Sequence, residues 1–122
     1  MSNWHMLVVE DDHYGSQVVA SMLKYHQISA DFAQTAEEAL EFLGNNQYSM
    51  AIIDLNLPGI DGWALLQSIR TNTDTAYLPC VAITAYHDAR VAQEAIQAGF
   101  TSYFPKPLQT NFVQQLANIL AG

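Results

Sequence analysis

Met50-Ala51-Ile52-Ile53-Asp54-Leu55-Asn56-Leu57-Pro58-Gly59-Ile60-Asp61-Gly62 is the stretch on which the reading of this chain turns. Its first part is apolar without alternation, as a strand buried on both faces of a parallel sheet must be. It ends on one carboxylate, Asp54, and Asp61 is placed to turn the chain before the next helical segment. Met6–Val9 is another run apolar throughout, and Ile28–Ala33, Val81–Thr84 and Thr101–Phe104 complete a set of five short strands. Between and after them lie segments of helical period. Their apolar faces are Val18, Met22 and Leu23; Ala36, Ala39, Leu40 and Leu43; Leu65, Leu66 and Ile69; Ala92, Ala95 and Ile96; and Phe112, Val113, Leu116 and Leu120. Thr35 followed by Glu38 predicts a capping box opening the second helix, with Gly44 as its stop, and Gly99 predicts the end of the fourth. Repeated βα units with short connections predict a doubly wound α/β fold, its sheet parallel and covered by helices on both faces.

Ligands of such sheets sit beyond the carboxyl ends of the strands, where strand order reverses. Glu10 and Asp11 end the first strand, Asp54 the third and Thr84 the fourth, while Lys106 lies just past the fifth. We take the order as 2-1-3-4-5, partly on the resemblance given below, and it makes these strands neighbours. Two carboxylates about 4 Å apart repel by ~4 kcal/mol at an effective dielectric of ~20. Three together either take up protons or bind a cation, and an all-oxygen set without His or thiol favours Mg²⁺. A carboxylate beside that metal can attack a phosphoryl group and form an aspartyl phosphate. Asp54, alone and central, is the best nucleophile; adjacent Glu10 and Asp11 are the better metal ligands. Thr84 and Lys106 can each meet a phosphoryl oxygen.

Charge and length narrow the partners. The 122 residues have room for one domain, and twelve acidic residues against four basic ones give a formal net charge of −8. Lys24, Arg70, Arg90 and Lys106 are scattered, so direct nucleic-acid binding, which needs clustered cations, is not expected. No apolar run approaches the ~20 residues of a membrane span. Met1–Met6 carries no basic residue of a signal peptide, and the expected location is the cytosol. Cys80 stands alone in an apolar run and reads as core. His5, His13, His26 and His87 lack metal spacing and read as surface or packing residues, as Trp4 and Trp63 read as packing.

The same residues resemble one known family. Val8-Val9-Glu10-Asp11-Asp12 resembles the first strand and acidic pair of response-regulator receiver domains, like those of the chemotaxis regulators. The segment Asp54 to Gly62 is similar to their phosphorylation-site segment, Ile83-Thr84-Ala85 to their switch threonine, and Tyr103-Phe104-Pro105-Lys106-Pro107 to the switch aromatic with its Lys-Pro pair. Receiver proteins and flavodoxins share the 2-1-3-4-5 order. The resemblance implies a phosphoryl-accepting switch of two-component (phosphorelay) signalling, phosphorylated on Asp54 by a histidine kinase or phosphotransfer partner. It is then no turnover enzyme on an external substrate. The resemblance also implies a Mg²⁺ site of Glu10, Asp11, Asp54 and the Asn56 carbonyl, a switch pair Thr84 and Tyr103, and a cis Lys106–Pro107 bond. Asp12 has no fixed family role, and Asn56 and Tyr86 lie where members differ in phosphoryl lifetime.

The expected organisation is a single receiver domain over 1–122 with no output domain, either a complete small regulator, which the start at Met1 slightly favours, or a piece of a larger hybrid protein. It would signal to an output protein not named by the sequence, as a monomer or a weak homodimer through the face of the fourth helix, fifth strand and fifth helix. Blander readings fit less well. Glu10, Asp11 and Asp12 serve as dipole complements at a helix start in many proteins, but Asp54 and Lys106 at matching strand ends disfavour that reading here. A flavodoxin-like carrier needs hydroxyl and amide donors after the first strand, where acidic residues would repel a flavin phosphate. A degenerate receiver is disfavoured because all the key residues are retained.

Overall fold

The computed structural model describes residues 3–122. Met1, on which the expectation of a complete chain rested, lies outside them. Elements alternate throughout: β1 His5–Val9, α1 His13–Tyr25, β2 Ser29–Ala33, α2 Ala36–Asn45, β3 Met50–Asp54, α3 Gly62–Thr71, β4 Cys80–Thr84, α4 Ala89–Ala98, β5 Ser102–Pro105 and α5 Phe112–Ala121. The sheet is parallel in the order β2-β1-β3-β4-β5, as expected. No helix among the described residues is long and apolar enough to cross a membrane.

Strand side chains alternate between two cores, following the two-residue period of the pleat. Leu7, Val9, Ala51, Ile53, Cys80 and Ala82 face a core shared with Ala36, Ala39, Leu65, Leu66, Ile69 and Ala95 of α2, α3 and α4. Met6, Val8, Met50, Ile52, Val81 and Ile83 face the other, filled by Val19 and Leu23 of α1 and Phe112, Val113 and Leu116 of α5. Cys80 is fully buried, as its surroundings in the sequence predict. Each large side chain removed from water contributes roughly 1.5–3 kcal/mol.

Three helices open on aspartates that accept a backbone N–H: Asp12 from Gly15, Asp61 from Ala64 and Asp88 from Val91. Thr35 Oγ1 accepts from Glu38 N at 3.1 Å, as the capping box predicts, but Glu38 reaches back to Gln34 N rather than to Thr35. Gly99 ends α4 in the left-handed region, at φ 119°.

Two expectations are corrected. Gly44 does not stop α2, which runs on to Asn45; the helix ends at an extended Asn46. The buried stripe of α4 is Val91, Ala95 and Ala98, and Ile96 is 51% exposed. Both residue sets fit a helical period, and only the tilt of the helix on the sheet chooses between them. A similar rotation of α1 buries Val19 with Leu23, leaving Val18 half-buried.

Candidate functional site

The strands deliver their polar ends to one rim. Asp54 is the last residue of β3, Thr84 the last of β4, Glu10 follows β1 and Lys106 follows β5. Ladder register aligns Asp54 with Ile83 and Thr84 with Pro105, so the four strand ends come level. Among the described residues the buried polar or charged side chains are Glu10, Asp54 and Thr84, all at this rim. Burial of polar groups elsewhere would need partners of its own, so their confinement to one place marks it as built.

Gly62 helps to set the rim. A Cβ on it would lie 2.9 Å from Leu55 Cα and 3.1 Å from Asp54 C, so the start of α3 rests directly on the backbone of the Asp54 turn. Lys106 follows the same strand-end logic, and its peptide bond to Pro107 is cis, as expected.

The side chains form a charged knot. Lys106 Nζ donates to Asp54 Oδ2 at 2.8 Å and also to Glu10 Oε1. Asp54 Oδ1 accepts the Asn56 backbone N–H at 2.9 Å. Thr84 Oγ1 accepts from Asn56 Nδ2 at 2.9 Å and from Tyr86 N at 3.1 Å. Ligand oxygens of Glu10, Asp11 and Asp54 all lie within 4.8 Å of one another. Glu10 Oε2 is buried and has no hydrogen-bond partner.

Titration follows from this packing. Burial, and then contact with Asp54, push the Glu10 carboxyl up to about 7. Burial acts on Asp54 in the same sense, but contact with Glu10 and the bonds from Lys106 and the Asn56 amide outweigh it and hold the carboxyl below its ordinary value. Burial opposes the Lys106 charge, yet Asp54 and Glu10 keep that ammonium above the ordinary lysine value. Of the two coupled carboxyls, Glu10 is therefore the one that holds a proton more readily and Asp54 the one that ionises more readily. An unpartnered buried oxygen, a second buried carboxylate and the exposed Asp11 make a hard-oxygen donor set that fits a small divalent cation.

A cleft of about 740 Å³ opens over the knot, walled by Tyr14, Val18, Ala85, Tyr86, Pro107 and Leu108. A cavity of about 670 Å³ at the opposite end of the sheet, near Asn46, Tyr48 and Tyr77, has no comparable charge cluster.

Tyr103 does not enter the pocket. Its ring packs on the core shared with α2, α3 and α4, and its hydroxyl is 2.9 Å from His87 Nδ1. His87 read in the sequence as a surface or packing residue, and it is an exposed residue packed on Tyr103, but its bond to that hydroxyl was not foreseen. The link from the Asn56 side chain to Thr84 was missed as well, and for Asp12 the helix-start reading that was disfavoured holds, since it caps α1. The only cue for Asp12 was its place before a helical pattern. His5 takes the packing role: it stacks on Tyr48 at 5.0 Å and bonds Asp31 at 2.9 Å and Ser29 at 2.8 Å.

Comparison with known sequences decides the family, because the pattern of the response regulator receiver domain matches residues 6–118. The chain belongs to the receiver-domain family. It is 34% identical over 113 residues to the response regulator protein FleR of Pseudomonas aeruginosa, covering 91% of this chain and 23% of that one. Against the response regulator MprA of a Mycobacterium strain it is 29% identical over 102 residues, covering 84% and 44%. The receiver domain thus spans less than half the length of either relative. A response-regulator structure from Chloroflexus aurantiacus superposes with a TM-score of 0.92 at 31% identity, covering 98% of both chains. The receiver domain of a Pseudomonas aeruginosa sensor histidine kinase superposes at 0.88 with 22% identity over 98% of both chains, and in that protein a magnesium ion is coordinated in the active-site cleft. Membership makes this receiver domain a phosphoryl-accepting part of two-component signalling.

Proposed function

We propose that Asp54 is the phosphoryl acceptor of this domain. One observation carries the proposal: the buried polar groups of the molecule, Glu10, Asp54 and Thr84, meet Lys106 at a single rim, with Asp54 held ionised. A carboxylate oxygen of Asp54 attacks phosphorus and forms the new P–O bond. The bond from phosphorus to the donor breaks, and its electron pair leaves with the donor: an imidazole of a histidine kinase or phosphotransfer protein, or acetate from acetyl phosphate. Lys106 starts on Asp54 Oδ2 and needs only a small reorientation to meet a phosphoryl oxygen. Thr84 accepts from Asn56 Nδ2 and keeps its hydroxyl proton to donate to another.

Glu10, Asp11, Asp54 and the Asn56 backbone carbonyl are the residues we assign to Mg²⁺. When bound, the ion supplies positive charge against the phosphoryl oxygens as transfer proceeds. Its identity rests on the all-oxygen donor set, and the magnesium in the related histidine-kinase receiver supports it.

The switch we assign to Thr84 and Tyr103. Ala82 is the register partner of Tyr103, and Thr84 lies two residues on along the same face of β4. A Thr84 drawn to the phosphoryl group vacates space beside Tyr103, biasing a two-state equilibrium on the face of α4, β5 and α5. That face is the proposed contact for the output protein and for any weak homodimer. Residues 1–122 then act as one cytosolic receiver domain, a switch rather than a turnover enzyme.

Intact mass after incubation with acetyl phosphate and Mg²⁺ tests the assignment. We expect one added phosphoryl group on the wild type and none on a folded Asp54→Asn variant. Continued labelling of that variant would remove the central claim.

A further inference from the structure

We propose that Gly15 is a positioning residue matched to Glu10, holding open the notch that the longer acidic side chain needs. The inference rests on the proposed function above for its consequence, though not for its geometry. Gly15 is the third residue of α1, and its backbone N–H is fixed on Asp12 Oδ2 at 2.7 Å. A Cβ built there would overlap Glu10 Oε1, lie 3.1 Å from Glu10 Cδ and sit 3.3 Å from Asp12 Oδ2.

Backbone conformation does not explain the glycine. Gly59 and Gly99 are the glycines with positive φ among the described residues, whereas Gly15 lies inside a regular helix. A glycine there is less favourable than alanine for the helix itself. What the position lacks is space.

The Glu10 carboxylate has little freedom to move aside. Its side chain is fully buried and its Oε1 is held by Lys106. Its Oε2 is buried without a partner, and a carboxylate oxygen of Glu10 lies within 4.8 Å of ligand oxygens of Asp11 and Asp54. A methyl group at position 15 must therefore push the carboxylate away from Lys106 and from the cation position together. An aspartate at position 10, one methylene shorter, would end short of the notch and would not meet that methyl group. Gly15 and Glu10 thus form a pair in which each residue explains the other.

A double-mutant cycle tests this with Gly15→Ala, Glu10→Asp and the combination, each checked by circular dichroism and thermal unfolding. The first readout is the Mg²⁺ dissociation constant of the full chain. Gly15→Ala should weaken binding roughly tenfold when Glu10 is intact, the scale seen when a residue that orients a metal ligand is lost. In the Glu10→Asp background the same change should be close to neutral, so the effects are strongly non-additive. The second readout needs no metal: the Lys106 ammonium NMR signal should shift on Gly15→Ala with Glu10 present and stay put in the Glu10→Asp background. Equal loss in both backgrounds, or none in either, overturns the proposal. Should Gly15→Ala fail to fold, recovery of folding in the combination supports the pairing, and failure in both overturns it. If the wild type binds no Mg²⁺, the metal assignment fails, while the Lys106 signal still decides whether Gly15 places Glu10.

Discussion

Glu10 sits in a place that suits a cation better than it suits the apoprotein. Its carboxyl is raised to about 7 from an ordinary 4.5, first by burial and then by Asp54. A folded-state pKa above the unfolded one means that the unfolded chain gives up its proton first. Stability without metal therefore falls as pH rises from about 4.5 through about 7. Glu10→Gln should remove this slope, stabilising the metal-free protein by on the order of 1–3 kcal/mol at pH 8 and little at pH 4. Thermal unfolding in EDTA at both pH values checks it; an equal effect at both would place the strain elsewhere. Lys106 presents the converse case, since it neutralises the carboxylates that a cation would use. Lys106→Ala should tighten resting Mg²⁺ binding roughly three- to tenfold, a modest gain because water and salt screen the open cleft. The same change should slow phosphorylation by acetyl phosphate. Weaker Mg²⁺ binding in a titration at matched ionic strength would contradict the placement of Lys106. Most of the candidate site was legible residue by residue because Asp54 and Thr84 each end an apolar run and Glu10 and Lys106 each follow one. Gly15 and the Asn56 side chain were not, because their partners lie in other elements, at distances no linear pattern encodes.

Among the elements, the proposed switch draws on β4 and its exit. Thr84 is held by Asn56 from the loop after β3, and Tyr103 of β5 is held by His87 from the loop after β4. Both residues are tied in the resting arrangement by groups exposed to solvent, so each tie is weak. A bond of this kind is worth about 0.5–1.5 kcal/mol, enough to move a two-state population by a factor of roughly two to ten. His87→Ala should therefore shift the Tyr103 ring resonances of unphosphorylated protein part-way toward those seen with beryllofluoride. A ring that does not respond would show that His87 is only a neighbour. Elsewhere Arg70 of α3 donates to the carbonyls of Gly99, Ala76 and Leu78, joining the end of α4 to the approach to β4. Element order and type were readable from alternation of apolar runs and helical faces. The rotation of α1 and α4 was not, because small residues at Ala92, Ala95 and Ala98 leave the periodicity of α4 degenerate, and packing on β5 chooses the face.

For the molecule as a whole, the net charge of −8 sets a repulsive field around an acceptor whose donors are anions. Of its cations, Lys106 lies in the pocket, Arg70 is spent on carbonyls and Arg90 pairs with Glu94 at 3.1 Å. Phosphorylation by acetyl phosphate, a dianion, should therefore speed up with ionic strength at saturating Mg²⁺, and more steeply than phosphorylation by the less charged phosphoramidate. Identical salt slopes for the two donors would show that only the pocket's own charges matter.

The sheet also divides the molecule. Asp54 and Lys106 face the cleft beside α1 and the segment after β5, whereas Tyr103 packs on the core of α2, α3 and α4. Between those cores the strands present buried apolar side chains, and the Cys80 thiol among them is pushed by burial up to about 11 and stays neutral. In the proposed switch, the Asn56–Thr84 contact at the rim is the polar link between the two sides. An engineer could accordingly rebuild the α4 side to greet a different listener while leaving the receiving chemistry untouched, provided that one doorway keeps its shape.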